Sequence, residues 1–207
     1  MPFDLWLAFV AASTVLLIIP GPTILLVMSY ALTQGRRVAV AMALGVALGD
    51  FIAMSASLAG LGALVLASAM VFTVLKWVGA VYLVYLGVKL LRSRPALMPD
   101  DLSPERKPAR AIFGHAAAVT ALNPKSIAFF IAFVPQFIRP DAALAPQFGI
   151  LIATFVTLAA LNALIYALLA DRLRARIRRP SVLRWMNRAG GGALVGMGAL
   201  TATMSRS

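Results

Sequence analysis

Six runs of predominantly apolar residues, separated by short basic stretches, dominate this chain. A helix that crosses a bilayer needs about twenty such residues. The runs cover roughly residues 5–32, 38–66, 71–91, 112–138, 148–169 and 189–204. Hydrophobic residues make up 61% of the chain and charged residues only 13%, so a water-soluble fold of this length would lack polar surface. The first, second and fourth runs are long enough to tilt or bend. The last is short and rich in glycine, with Gly190, Gly191, Gly192, Gly196 and Gly198. The expected fold class is an all-α integral membrane protein with six transmembrane helices.

The net charge of +12 by itself suggests a nucleic-acid partner. Its placement argues otherwise, because the basic residues fall between the apolar runs. Arg36 and Arg37 follow the first run. Lys89, Arg92, Arg94, Arg106, Lys107 and Arg110 follow the third. Arg172, Arg174, Arg176, Arg178, Arg179 and Arg184 follow the fifth. The other loops offer little beyond Lys76 and Arg139, and the N-terminus carries Asp4 with no basic side chain. Basic loops after odd-numbered helices face the cytoplasm and its anionic lipid headgroups. The partner is therefore a lipid bilayer and not nucleic acid. Both termini are expected outside, in the periplasm if the membrane is a bacterial inner membrane. The N-terminus begins Met-Pro-Phe-Asp and lacks the basic front end and short core of a cleaved signal peptide, so the first run is expected to stay as a helix.

There is no cysteine and a single histidine, His115. Disulfides, thiolate metal sites and multi-histidine metal sites are thereby excluded. The sequence contains no His-Glu-x-x-His, no Gly-x-Ser-x-Gly and no close pair of acids within the apolar runs. Nothing calls for a cofactor or for an enzyme.

A polar linker, residues 92–110, divides the chain into a first set of three helices, residues 1–91, and a second set, residues 111–207. Three helices per half means that the second half enters the membrane in the opposite sense. That is the requirement for an inverted-topology repeat, an architecture of secondary transporters. Two breaks fall in corresponding helices. Pro20-Gly21-Pro22 interrupts the first and Asn123-Pro124 the fourth. A weaker echo joins the third and sixth, where Gly79 and Gly87 are spaced like Gly190 and Gly198.

Proline inside a helix removes a backbone donor and clashes with the preceding turn. In lipid the freed carbonyls must find partners in protein or in a hydrated cavity. At the second break Asn123 is placed to cap a new half-helix, with Pro124 at its favoured first position. The partial positive charge of that half-helix start suits a carboxylate. Gly21, Pro22 and Thr23 are placed to do the same in the first half, Thr23 offering a hydroxyl and Gly21 close backbone approach. A plain proline kink is the competing explanation for either break alone. The candidate substrate-binding residues are Gly21, Pro22, Thr23, Asn123, Pro124 and Lys125.

Asp50 and Lys125 lie near the centres of the second and fourth apolar runs, and each is costly there unless paired or hydrated. The expectation is a buried or cavity-facing pair. It is either a static bridge that locks the bundle or a working one, with Asp50 carrying a proton and Lys125 meeting a substrate carboxylate. Gln136 and Asn162 either line a path or join helices. Tyr82, Tyr85 and Trp77 read as packing or interface residues. His115, near the start of the fourth run, reads as an interface residue.

The ordered motifs resemble the lysine exporter (LysE) superfamily, and within it the homoserine/threonine resistance (RhtB) branch. The resemblance rests on Pro20-Gly21-Pro22, the glycine series from Gly35 through Gly45 to Gly49-Asp50, and residues 76–87 with Gly79, Tyr82, Tyr85 and Gly87. In the second half it rests on Asn123-Pro124-Lys125, Phe129-Phe130 and Pro135-Gln136-Phe137. The final run departs most from the pattern. The resemblance implies export of amino acids or close derivatives across the bacterial inner membrane, in exchange for protons. An amino acid must hide a carboxylate and an ammonium from lipid together. Half-helix starts and Lys125 suit the first, and Asp50 or broken-helix carbonyls suit the second. The runner-up is an inorganic cation transporter of the same six-helix superfamily, for which a single acid in the apolar runs supplies few ligands. The sequence leaves open the amino acid exported, the coupling ion and a homodimer.

Overall fold

In a computed structural model the described residues are 1–19, 21–67, 69–92, 107–139, 142–177 and 180–203. Pro20, Arg94, Arg106, Arg178, Arg179, most of the expected linker and the end of the last run lie outside them. Among the described residues all regular structure is helical. The order is α1 (Phe3–Ile18), α2 (Pro22–Gln34), α3 (Ala39–Ala67), α4 (Ala69–Arg92), α5 (Ala109–Ala121), α6 (Pro124–Ala132), α7 (Leu144–Ile177) and α8 (Pro180–Thr203). One-turn 3-10 helices at Arg36–Val38 and Val134–Phe137 precede α3 and follow α6.

The segments Arg36–Gly60 and Leu144–Ala170 are each long and apolar enough to cross a membrane, and α1 and α2 pass the same test only together, as a pair bent by 55° that makes either a broken span or a re-entrant loop. Large apolar side chains such as Val40, Leu44, Phe51, Ile52, Leu161 and Ile165 are exposed on these segments. The exposed surface is that of a membrane-embedded protein. The remaining expected spans fall on α4, on α5 with α6, and on α8.

Two boundaries differ from expectation. The helix of the fifth run continues to Ile177, so Arg172, Arg174 and Arg176 lie on α7 and not in a loop. Arginine is a good helix former, and nothing in the chain stops the helix where the apolar residues end. The last helix starts at Pro180, well before residue 189, because proline suits the first helical position. In the fourth run α6 ends at Ala132, and the chain tightens into the 3-10 turn that contains Pro135. Pro135 has no N–H with which to continue the α-helix.

In lipid, helices associate through close packing and hydrogen bonds, not through hydrophobic exclusion from water. The packing follows from residue size. The most extensive contacts pair α4 with α8 and place α3 between α5 and α7. Gly49 on α3 meets α5 so closely that a Cβ there would lie 2.6 Å from the Ala117 carbonyl oxygen and 2.6 Å from Thr120. Gly87 on α4 faces the Gly191 carbonyl of α8 in the same way, at 2.7 Å. On α7 the buried residues Leu151, Phe155, Ala159, Ala163, Ala167 and Ala170 recur at helical spacing and make one inward stripe. Phe155 from that stripe packs edge-on to Phe130 at 4.8 Å between ring centroids, and Phe129 and Phe133 extend the cluster. The core thus surrounds α6 and fixes the second break in place.

Candidate functional site

The two breaks are built alike. Gly21 is the N-cap of α2 and Asn123 the N-cap of α6, both in extended conformation and both followed by proline at the first helical position. The Gly21 carbonyl accepts from Leu25 N at 2.9 Å, and the Asn123 carbonyl accepts from Ile127 N at 3.0 Å. Asn123 Oδ1 also accepts from the backbone N–H of Lys125 at 3.1 Å, the side-chain cap that its position suggested.

One threonine joins the breaks. Thr23 Oγ1, in the first turn of α2, accepts from Asn123 Nδ2 at 3.1 Å and from Thr120 Oγ1 at 3.3 Å. All of these residues are buried. A buried amide and hydroxyl left without partners would each be costly, so this cluster sets the registry of α2 against α5 and α6.

The break after α1 leaves carbonyls without intrahelical partners. Side chains from α6 and α7 satisfy them. Lys125 Nζ donates to Leu16 O at 3.0 Å and to Ile19 O at 2.8 Å. Asn162 Nδ2 donates to Leu17 O at 3.0 Å, and Tyr166 Oη donates to Ile18 O at 3.0 Å. The C-terminal end of α1 is therefore capped in trans along its last turn. A cation is favourable there, because the helix dipole places partial negative charge on those carbonyls.

Between the two breaks lies a cavity of about 20 Å³, lined by Gly21, Thr23, Asp50, Asn123, Lys125 and Asn162 among others. Asp50 is 2% exposed, and its Oδ1 has no hydrogen-bond partner. Asp50 and Lys125 thus share one chamber, as expected, yet the lysine's hydrogen bonds run to the α1 carbonyls and leave Oδ1 unpartnered. Of the candidate binding residues, Gly21, Thr23, Asn123 and Lys125 line the cavity. Pro22 and Pro124 are exposed and outside its lining, where they start the helices without facing the chamber. Among the described residues no group of three or more His, Cys, Asp or Glu gathers to hold a metal ion.

Asn162, one of the two path-lining options, lines the cavity and also joins α7 to α1. Gln136, the other, is partly buried in the 3-10 turn. Thr120, Ser126, Tyr166 and Gln147 were not foreseen. Ser126 lines the cavity. Gln147, 3% exposed, clamps the start of α7 to the preceding chain through Arg139 N at 2.8 Å and Arg139 O at 2.9 Å. His115 is exposed, and its Nδ1 forms a hydrogen bond with Tyr30 Oη at 2.9 Å, away from the cavity.

Residues 14–205 match the family described as LysE type translocator. A homoserine/homoserine lactone efflux protein of Salmonella typhimurium is 35% identical over 203 residues, covering 98% of each chain. A membrane protein of Vibrio cholerae is 36% identical over 203 residues, again 98% of each. A leucine efflux protein of Klebsiella pneumoniae is 28% identical over 137 residues, 66% of this chain and 65% of that one. No solved structure matches the chain.

Proposed function

We propose that this chain, which belongs to the LysE type translocator family, exports amino acids or close derivatives across the bacterial inner membrane, driven by inward-moving protons. Substrates of the homoserine, threonine, leucine and lysine kind fit the reading, and the names of two relatives, for homoserine or its lactone and for leucine, support it. The observation that carries it is the chamber between the two broken helices, where a buried carboxylate oxygen of Asp50 waits without a partner.

The chamber supplies what a zwitterion needs. The starts of α2 and α6, with Gly21, Thr23 and Asn123, suit the carboxylate. The carbonyl end of α1 and Asp50 suit the ammonium and the coupling proton. The volume of about 20 Å³ admits about one water molecule and no amino acid. Transport then requires the chamber to open to each side in turn.

The matched breaks support a six-span arrangement of two inverted three-helix repeats, α1 to α4 and α5 to α8, rocking against each other about the chamber. Basic residues at the helix ends after the first, third and fifth runs support a cytoplasmic side for those ends and periplasmic termini. Asp50 exchanges its proton between the two sides as the chamber alternates.

Purified protein in proteoliposomes tests this directly. With labelled L-homoserine or L-leucine outside and an acid interior, uptake into the vesicles should exceed that without a pH gradient and collapse when a protonophore is added. Amino-acid movement indifferent to the gradient would remove proton exchange and leave facilitated efflux. No movement of any amino acid would remove the exporter reading.

A further inference from the structure

The Lys125 ammonium occupies a place built for a primary ammonium. Its partners are two carbonyl oxygens at the negative end of α1, Leu16 O at 3.0 Å and Ile19 O at 2.8 Å. An independent observation marks the same chamber as a cation site: the carboxylate of Asp50, 2% exposed, lines it with Oδ1 unpartnered. The chamber, at about 20 Å³, has no room for an amino acid, ammonium and carbon skeleton together, while the Lys125 side chain is in place. Beside it, Gly21 contributes no side chain, and a Cβ there would lie 3.4 Å from Lys125 Nζ.

We infer that the Leu16 and Ile19 carbonyls are the ammonium subsite of the transported molecule, and that Lys125 fills it as a tethered stand-in when no substrate is bound. This rests on the transport reading above. The side chain of Lys125 then competes with the substrate's ammonium and does not hold its carboxylate. On entry through the opened chamber the substrate ammonium takes over the two carbonyls, and the displaced lysine head turns toward the entrance. The substrate ammonium then lies in the chamber that Asp50 lines, so its occupancy bears on the charge of Asp50. The exchange keeps the α1 carbonyls satisfied in both states, which an empty subsite in lipid would not.

Two readouts on the full-length protein in detergent test this. The first needs no amino acid. Lys125→Ala should melt below the parent, and ethylammonium chloride should restore the loss in a saturable way. Tetramethylammonium chloride, which has no N–H to donate, should not, and the parent protein should respond to neither. The second uses the unaltered chain, so that a folding defect cannot obscure it. Labelling of Lys125 by a small amine-reactive reagent, read by mass spectrometry, should rise severalfold when L-homoserine or L-leucine is added, because substrate drives the lysine off its carbonyls. Protection of Lys125 by the amino acid would overturn the inference, since that is the signature of a lysine clasping the carboxylate. Absence of ethylammonium rescue in a folded Lys125→Ala protein would overturn it too. Rescue by ethylammonium with labelling unchanged by any amino acid would uphold the ammonium subsite and overturn the transport reading on which its occupant rests.

Discussion

Asn123 Nδ2 donates to Thr23 Oγ1 at 3.1 Å, which fastens the start of one broken helix to the start of the other. Thr120 donates to the same oxygen at 3.3 Å. Replacing Thr23 by valine keeps the shape and leaves two buried donors without an acceptor. The expected loss is about 1–3 kcal/mol of stability, the usual cost of a buried polar group left unsatisfied. Thr23→Ser retains the hydroxyl and should stay close to the parent. Thermal melting of both variants in the same detergent checks this, and a Thr23→Val protein as stable as the parent would show that the link between the breaks is dispensable.

Gly21→Ala separates occupancy of the chamber from folding. Gly21 is already in extended conformation, which alanine adopts freely, and the new methyl would meet Lys125 at ordinary contact distance, 3.4 Å. Stability should fall by no more than about 1 kcal/mol, the cost of alanine in place of glycine at an N-cap. Efflux should fall by an order of magnitude or more, because the methyl takes space in a cavity of about 20 Å³. Comparing melting with efflux at equal membrane abundance decides it: parallel losses in both would mean that the glycine serves the fold alone.

Gly49→Val acts on packing instead. Its Cβ would stand 2.6 Å from the Ala117 carbonyl oxygen and 2.6 Å from Thr120, so α3 and α5 would have to part. Overpacking of this kind costs about 1–3 kcal/mol or more. The expected outcome is little folded protein in the membrane, measured by size-exclusion profile after solubilisation. The same substitution at Gly60 on α3, where a Cβ would meet nothing within 4 Å, should leave that profile unchanged.

The all-helical, membrane-embedded character and the two breaks were legible because lipid imposes long apolar runs and makes proline breaks conspicuous. The half-helix start at Asn123-Pro124 was readable from local chemistry, since a cap and a first-turn proline act within four residues of each other. Asp50 and Lys125 stood out because charge inside an apolar run demands an explanation. The direction taken by Lys125 was not readable, because it depends on which carbonyls a distant helix presents at its end. Tyr166 and Asn162 cap those carbonyls from residues more than a hundred positions away, and tyrosine is ordinary in a membrane helix. The helical ends of α7 and the early start of α8 were missed for a related reason. Apolar runs mark where lipid is, and arginine-rich helix continues beyond it.

Amino-acid excretion from peptide-loaded cells, with the chain compared against its Asp50→Asn variant at equal membrane abundance, tests most directly that a transported amino acid passes the Asp50 chamber. The variant keeps the size of the side chain and removes its ability to carry charge. An exporter working through this chamber releases one or a few amino acids faster than control cells, and the variant, though folded in the membrane, releases them no faster than control. Equal excretion from both proteins would contradict the role of Asp50, and excretion from neither would contradict export itself.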